Sequence, residues 1–263
     1  MTEKVSGGVK PVVVRGVAIG GGMPKIVVPL TGASAAELRA QAGALPRACV
    51  DIVEWRADFF EALADTASVV ACAQALADQL AGTPVLFTCR TAAQGGQAAI
   101  GDEAYGDLNV AVAQSGTADL IDVEYERRAA VVGRVIGAAH ASGVRVIASN
   151  HDFAGTPARD EIVARLVAMQ WLGADICKIA TMPHSPADVL TLLGATRVMA
   201  GEHADRPLIT MAMGALGVVS RMSGETFGSA ATFGMAGTPS APGQIPAEDL
   251  RAVLTVLHRA LSG

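Results

Sequence analysis

The chain has 263 residues, of which 51% are hydrophobic and 17% charged, and its formal net charge is −5 at pH 7. This composition excludes an intrinsically disordered chain, and the acidic balance gives no general attraction to nucleic acid or to an anionic membrane surface. The length is close to the roughly 250 residues of a single α/β barrel, so we expect one domain over residues 1–263, with residues 1–10 as a flexible tail.

The cysteines and the N-terminal residues bear on the compartment. Four cysteines, Cys49, Cys72, Cys89 and Cys177, lie in or beside apolar segments without metal-ligand spacing, which is typical of buried thiols in a reducing compartment. The N-terminus lacks the apolar stretch of a signal peptide, and the sequence has no membrane-spanning run of about 18 uncharged apolar residues. The sequence therefore predicts a cytoplasmic protein with no membrane partner.

The predicted elements follow a regular order along the chain. Val12 to Ile19, followed by three glycines, predicts a strand that enters a turn, in a hairpin that closes the bottom of the fold. Lys25 to Leu30 predicts the first core strand. Further strands are predicted at Val50 to Trp55, Val85 to Cys89, Leu120 to Glu124, Val144 to Ser149, Asp175 to Ala180, Leu208 to Met211 and Ala231 to Gly234. Helices are predicted at about 35–45, 67–81, 104–115, 127–141, 158–172, 186–200 and 247–261, with a short helical piece near 215–222.

This alternation predicts the fold class. Eight strands separated by helices indicate βα units with parallel strands, and an α/β fold of the (β/α)8 TIM-barrel type accommodates eight such units without a free edge. An open doubly wound sheet is the alternative, but no Gly-x-Gly-x-x-Gly follows the first strand, so dinucleotide binding is not supported. No zinc spacing and no phosphate loop occur, so we expect neither a metal nor a cofactor. Ser223 to Pro246, rich in Gly, Ser and Pro, is typical of an active-site loop.

One lysine lies within a strand pattern that is otherwise apolar. Alternation places Ile176, Lys178 and Ala180 on one face, and Cys177 and Ile179 on the other. Burial disfavours the ammonium form, and the lysine pKa of ~10.4 can fall to roughly 7–8, where a neutral amine can attack a carbonyl carbon. Lys178 is therefore a candidate Schiff-base nucleophile. The alternative is a structural lysine that pairs with a carboxylate or extends out of the strand end.

Polar residues collect where the predicted strands end, and the active site of a barrel forms at that end. These residues are Glu54 and Arg56, Arg90, Asp122 and Glu124, His151, Arg221, and Ser240 with Gln244. Three arginines and a lysine at one opening would create a local positive field that suits a small anionic substrate such as a carboxylate. The alternative for Glu54 is a structural ion pair with Arg56 or Arg90.

His151 is the candidate proton carrier, because imidazole titrates near neutrality and the residue follows the strand next to Lys178. The alternative is an ordinary surface histidine on a loop. The other four histidines, His140, His184, His203 and His258, are on or near predicted helices or loops, and we expect them to be non-catalytic.

Six segments together resemble type I 3-dehydroquinate dehydratase. They are Val53-Glu-Trp-Arg-Ala-Asp58, Phe87-Thr-Cys-Arg-Thr91, Ser149-Asn-His-Asp-Phe153, Ala174-Asp-Ile-Cys-Lys-Ile-Ala180, Ser220-Arg221 and Ser240-Ala-Pro-Gly-Gln244. The resemblance extends over nearly the whole chain from about residue 13. It implies a (β/α)8 barrel, usually a homodimer, that dehydrates 3-dehydroquinate to 3-dehydroshikimate in the shikimate pathway without metal or nucleotide.

The resemblance also implies roles for single residues. Lys178 would form an imine with the substrate ketone, and His151 would transfer the protons. Arg221 would bind the substrate carboxylate. Glu54, Arg56 and Arg90 would hold the hydroxyl groups, while Ser240 and Gln244 would close over the site on a loop.

The chain departs from the family pattern at Gln94. Many members have glutamate there, which can orient the histidine and raise its basicity, whereas an amide orients without adding charge. We expect activity to survive with an altered pH profile. Two other hypotheses remain open from the sequence: a class I aldolase-like barrel that shares the lysine, and a catalytically idle barrel that serves as a binding or assembly module.

Overall fold

The computed structural model describes residues 9–263, so most of the predicted tail lies outside the described residues. The strands are β1 (Val12–Val14), β2 (Val17–Ile19), β3 (Lys25–Leu30), β4 (Ile52–Arg56), β5 (Val85–Thr88), β6 (Leu120–Glu124), β7 (Arg145–Asp152), β8 (Ile176–Thr181), β9 (Leu208–Ala212) and β10 (Ala231–Phe233). The helices are α1 (Ala35–Gly43), α2 (Thr66–Gln79), α3 (Asp102–Ser115), α4 (Ala129–Ala141), α5 (Arg159–Trp171), α6 (Pro186–Val198), α7 (Val218–Met222), α8 (Gly224–Phe227) and α9 (Ala247–Ser262).

The strands from β3 to β10 form a parallel eight-stranded barrel, which confirms the predicted (β/α)8 fold. Each strand from β3 to β8 pairs with the next one along the chain, and β10 pairs with β3. A parallel bridge between Leu208 of β9 and Ser229, just before β10, brings the two ends of the sheet together. Every residue of the strands from β4 to β6 is buried, as expected for parallel strands covered by helices.

Two apolar clusters occupy opposite faces of the sheet. Cys177 and Ile179 belong to the cluster between the strands and the helices. Ile176 and Ala180 belong to the cluster inside the barrel. The predicted alternation on β8 is therefore correct, and it turns Lys178 toward the barrel interior.

The hairpin closes the N-terminal end of the barrel as predicted, but the prediction that its turn follows Ile19 is wrong. β1 and β2 pair as antiparallel strands around Arg15 and Gly16, so the turn lies inside the segment predicted as one strand. Both turn residues have positive φ, 45° for Arg15 and 81° for Gly16, as a two-residue hairpin turn requires. Arginine is uncommon in this conformation, so a turn at Arg15 has little signal in the sequence. Val14 and Ile19 pack into the apolar cluster inside the barrel.

β7 is longer than predicted, and it contains His151. The sequence predicts a strand that ends at Ser149, because Asn150, His151 and Asp152 are typical of loops. The structure continues the ladder, with Asn150 paired to Ile179, His151 to Ala180 and Asp152 to Thr181. The interpretation of His151 as a loop residue is therefore wrong. The other core strands and long helices begin and end within two residues of their predicted bounds.

Candidate active site

A cavity lies at the C-terminal end of the barrel, and all nine residues proposed from the sequence line it. These residues are Glu54, Arg56, Arg90, Gln94, His151, Lys178, Arg221, Ser240 and Gln244. The cavity wall also contains residues that the sequence did not single out, among them Gly95, Phe153, Met211, Met213, Phe233 and Pro242. Strand alternation explains the arrangement, because inward residues low in the barrel are apolar and those near its C-terminal end are polar.

Lys178 is buried, with 3% of its surface exposed, and therefore does not extend into solvent. Its Nζ lies 3.2 Å from Asp122 Oδ2 and 4.4 Å from the centroid of the Phe233 ring. Burial lowers the pKa of Lys178 below its ordinary value, and the negative charge of Asp122 opposes that shift. The lysine is thus paired with a carboxylate, as one alternative expected, and it also faces the cavity.

Arg90 is the centre of a buried ionic network. Its guanidinium contacts Asp122 at 2.7 Å and Glu124 at 3.3 Å, and it donates a hydrogen bond of 2.9 Å to Ser149 Oγ. Burial alone would lower the pKa of Arg90, but the two carboxylates outweigh it and raise the pKa. Glu124 also accepts hydrogen bonds from Thr91, through its backbone N–H at 2.8 Å and its Oγ1 at 2.7 Å. Arg90 is therefore held firmly at the cavity wall.

Glu54 and Arg56 share the inner face of β4 but do not pair with each other in the described part of the chain. Arg56 binds Asp58 with two parallel hydrogen bonds of 2.7 and 2.8 Å. Glu54 accepts a hydrogen bond of 2.8 Å from Thr88 Oγ1. Since Arg90 pairs with the carboxylates of β6, the structural ion pair considered for Glu54 is not formed, and the Glu54 carboxylate faces the cavity.

Gln94 fixes the tautomer of His151. The Oε1 atom of Gln94 lies 3.1 Å from the backbone nitrogen of His151 and 3.1 Å from its ring Nδ1. Because the backbone N–H can only donate, the amide atom it meets must be the oxygen, and Nδ1 must then donate as well. The other ring nitrogen, Nε2, is left as the acceptor. Burial, together with the positive charges of Arg90, Lys178 and Arg56, holds the pKa of His151 well below its ordinary value.

Arg221, on α7, is a buried cation whose recorded partners in residues 9–263 are uncharged. Only 1% of its surface is exposed. It donates to the carbonyl oxygens of Pro242 at 3.0 Å and Phe233 at 3.4 Å, and its Nε atom has no hydrogen-bond partner there. Burial lowers the pKa of Arg221 to about 10. A guanidinium in this state offers a binding site for an anion.

The loop between β10 and α9 covers the cavity from the side of Arg221. Within it, the backbone N–H of Ser240 donates to Gln244 Oε1 at 2.8 Å, and Gln244 Nε2 donates to Ser240 Oγ at 3.1 Å. Both side chains line the cavity, as does Pro242, whose carbonyl holds Arg221. A direct hydrogen bond thus joins this loop to the guanidinium of Arg221.

The sequence model of the Type I 3-dehydroquinase family matches residues 26–260, which include nearly the whole barrel. The chain belongs to the type I 3-dehydroquinase family. The chain is 50% identical over 248 residues to the 3-dehydroquinate dehydratase of Listeria monocytogenes serotype 4a, a match that covers 94% of this chain and 98% of that protein. It is also 50% identical over 251 residues to the 3-dehydroquinate dehydratase of Shigella boydii serotype 4, covering 95% of this chain and all of that protein.

Solved structures of type I 3-dehydroquinases have the same barrel. The Clostridium difficile enzyme, solved with covalently modified comenic acid, is 46% identical, with a TM-score of 0.93 over 96% of this chain and 99% of that chain. The 3-dehydroquinate dehydratase of Geobacillus kaustophilus is 40% identical, with a TM-score of 0.90 over 95% of this chain and 97% of that chain. Family membership favours the dehydratase hypothesis over an aldolase-like barrel.

Outside this cavity, the described residues of this family member offer no metal site, and most of the other histidines have contacts of their own. Residues 9–263 contain no group of three or more His, Cys, Asp and Glu side chains that could hold a metal ion. No helix in the same range is long and apolar enough to cross a membrane. The four other histidines do not line the cavity. His140 contacts Asp175, His184 contacts the Ala154 carbonyl, and His258 contacts Glu225.

The glutamine of this dehydroquinase gives a testable pH dependence. Gln94→Glu places a negative charge beside Nδ1 of His151, and this charge raises the His151 pKa. If neutral His151 is the base, the acid limb of kcat moves to higher pH, by about one unit or more. The measurement is kcat from pH 4.5 to 9 for both proteins, with Gln97→Glu as a control in the same loop. An unchanged acid limb in Gln94→Glu would contradict the contact between Gln94 and the titrating base.

Proposed function

We propose that this enzyme dehydrates 3-dehydroquinate to 3-dehydroshikimate through an imine on Lys178, with His151 as general acid and base. The observation that carries the proposal is the cavity shared by a buried lysine, a histidine whose Nδ1 contacts Gln94, and an arginine that has no carboxylate partner within residues 9–263. These three groups match a substrate that has a ketone, an acidic C–H bond beside it, and a carboxylate.

The first step is imine formation. The neutral amine of Lys178 attacks the ketone carbon, and the carbonyl electron pair moves to oxygen, which takes up a proton. The resulting carbinolamine loses water, leaving a C=N bond whose nitrogen is protonated. The low pKa of buried Lys178 supports this step, because only the unprotonated amine is a nucleophile.

The second step is the removal of water from the substrate. His151 Nε2 takes a proton from the carbon beside the imine, and the C–H electron pair forms a C=C bond while the C=N pair moves to nitrogen. The enamine then expels the hydroxyl group, which leaves as water with the proton that His151 carries. Hydrolysis of the new, conjugated imine releases 3-dehydroshikimate and restores the amine. A base as weak as imidazole suffices because the imine accepts the electrons.

The remaining residues of the cavity would orient the substrate. Arg221 would bind the carboxylate, and Glu54, Arg56 and Arg90 are placed to bind hydroxyl groups. Ser240 and Gln244 would cover the bound substrate as part of the loop, which would exclude water from the imine.

Arg221→Ala is expected to raise KM about 10- to 100-fold with a smaller change in kcat, since it removes charge-assisted hydrogen bonds to a substrate group that does not react. Arg221→Lys should recover part of the loss, because the charge remains but the planar, two-pronged geometry does not. Steady-state kinetics over a wide range of 3-dehydroquinate concentration distinguish the two parameters. A variant with unchanged KM would rule out carboxylate binding by Arg221.

Covalent trapping tests the proposed function directly. The enzyme is incubated with 3-dehydroquinate and sodium borohydride, and intact-mass and peptide analysis then follow. We expect one reduced adduct of substrate or product mass on Lys178. If the protein binds 3-dehydroquinate but no adduct forms, the barrel is a binding module or acts by another mechanism.

The biological setting is proposed on the same basis. We propose that the reaction belongs to the shikimate pathway, which supplies aromatic amino acids, and that the protein is a homodimer, as the resemblance implies. We also propose that it acts in the cytoplasm. The four cysteines form no disulfide, which agrees with a reducing compartment. Light scattering after gel filtration tests the dimer, and a molar mass near that of one chain would exclude it.

A further inference from the structure

A buried carboxylate to which no role has been given lies beside Lys178. Asp122, on β6, has 1% of its surface exposed, and its Oδ2 lies 3.2 Å from Lys178 Nζ. Its other oxygen, Oδ1, contacts Arg90 at 2.7 Å and accepts a hydrogen bond of 2.5 Å from Ser149 Oγ. One oxygen is therefore fixed to the cavity wall, and the other is directed at the reacting nitrogen.

The proposed chemistry needs a positive charge on that nitrogen. A protonated imine can accept the electron pair of the broken C–H bond, whereas a neutral imine accepts it poorly. Burial disfavours the charged form of any nitrogen base, and imines are weaker bases than the amines from which they form. A cavity that excludes enough water to deprotonate the amine of Lys178 would therefore also deprotonate the imine, unless a nearby negative charge stabilises the protonated form.

We propose that Asp122 is the counter-ion that keeps the Lys178 imine protonated during proton abstraction. The proposal rests on the Schiff-base function above and deepens it. In the iminium, the C=N⁺–H group would retain its proton beside Oδ2. When the C–H bond breaks, its electrons form the C=C bond, the C=N pair moves to nitrogen, and the nitrogen becomes neutral while Asp122 remains an anion.

The surroundings of Asp122 prevent it from taking the proton itself. Burial alone would raise the pKa of Asp122, but Arg90 and Lys178 together lower it below its ordinary value. Arg90 thus keeps the carboxylate ionised when Lys178 is neutral. The ring of Phe233, 4.4 Å from Nζ, offers a second favourable contact for a cation. The other charged or titratable groups around this network are Glu54, Glu124, Arg56, Tyr105 and His151.

A purely structural role explains this arrangement less well. Taking an ion pair out of water is expensive, and replacing such a pair with apolar side chains is often neutral or stabilising. Arg90 already has Glu124 as a partner at 3.3 Å, so the network does not need Asp122 to neutralise it. Asp122 adds to this network an oxygen atom that is directed at Lys178.

The test measures the pH above which the imine loses its proton. Cyanoborohydride reduces protonated imines far faster than neutral ones, so its trapping rate follows the iminium. The measurement uses His151→Ala enzyme, in which the imine should accumulate, with 3-dehydroquinate between pH 5 and 10 and intact-mass analysis. Adding Asp122→Asn is expected to shift the upper pH limit of trapping downward by about 1–3 units, the shift that loss of an adjacent opposite charge produces.

Glu124→Gln in the same background is the matched control. Glu124 lies on the same strand face and is equally buried, but it contacts Arg90 and not Lys178. We expect it to leave the pH limit within about half a unit. Equal shifts in both variants, or no shift in Asp122→Asn, would overturn the role of Asp122.

A comparison that needs no Asp122 variant covers the case in which Asp122→Asn does not fold. In the His151→Ala enzyme, the pH limit of trapping should lie above that of the imine that 3-dehydroquinate forms with excess butylamine in water. A limit at or below the solution value would overturn the proposal. If no adduct forms on Lys178 in the His151→Ala enzyme at any pH, the Schiff-base function itself fails, which is a separate outcome.

Discussion

Lys178→Ala is expected to lower kcat by on the order of 10⁴-fold or more, the scale seen when a covalent enzyme loses its nucleophile. The chain has three other lysines, Lys4, Lys10 and Lys25. Lys25 is directed toward the Gly21 and Met23 carbonyl oxygens at the N-terminal end of the barrel. Formation of the conjugated product, followed by ultraviolet absorbance, gives the rate, and borohydride trapping should give no adduct.

The fold of Lys178→Ala should persist, because Asp122 keeps its contacts with Arg90 and Ser149. Weak binding of 3-dehydroquinate should also remain, since Arg221 is intact. Lys25→Ala is the matched control, and it should retain both turnover and the adduct. Turnover by Lys178→Ala within about tenfold of the parent would exclude the imine mechanism.

His151→Ala is expected to lower kcat by about 10²- to 10⁴-fold, the usual contribution of a positioned acid or base. Imine formation should continue, so that borohydride traps more adduct per protein molecule than in the parent enzyme. The acid limb of the kcat profile reports groups that titrate after the imine has formed. Since the lowered pKa of His151 favours its neutral form, this limb should lie below the ordinary histidine pKa of about 6.5 in the parent and should disappear in the variant.

His184→Ala is the control for this substitution. His184 contacts the carbonyl oxygen of Ala154 outside the cavity, so its loss should leave kcat and the pH profile close to those of the parent. Normal turnover by His151→Ala would show that another group transfers the protons. A loss of imine trapping in the same variant would place His151 earlier in the reaction than proposed.

The parts of the site that depend on strand periodicity could be predicted from the sequence. A period of two residues places Lys178 inside the barrel with Ile176 below it, and the C-terminal strand ends of a parallel barrel meet at one opening. These two rules alone bring Glu54, Lys178 and their neighbours into one cavity. The resemblance then supplied the roles of Ser240 and Gln244, which lie on a loop where no periodicity applies.

The partners of these residues could not be predicted in the same way. Asp122 on β6 and Lys178 on β8 are separated by 56 residues in the sequence. They meet because the barrel places these two strands on either side of β7, with both side chains on the inner face. The sequence predicts Asp122 and Glu124 at a strand end, but this position does not assign a partner to either residue. Similarly, the contact of Gln94 with both nitrogens of His151 depends on a turn after β5 whose shape leaves no periodic signal.

Errors at β1 and β7 have local causes. At β1, Arg15 and Gly16 form a turn, but the apolar residues on either side of them are typical of one continuous strand. At β7, Asn150, His151 and Asp152 are typical of a loop, but they pair with β8. In the second case the neighbouring strand supplies hydrogen bonds that outweigh weak strand propensity. A strand holds His151 more rigidly than a loop would, which suits the proton transfer that we propose for it.

Val14 and Ile19 pack into the base of the barrel, so the cavity is closed at the N-terminal end of the strands. We expect substrate to enter and product to leave through the same opening. This opening lies beneath the loop between β10 and α9, whose Pro242 carbonyl oxygen accepts a hydrogen bond from Arg221. A bound product molecule must therefore leave before the next substrate molecule can enter.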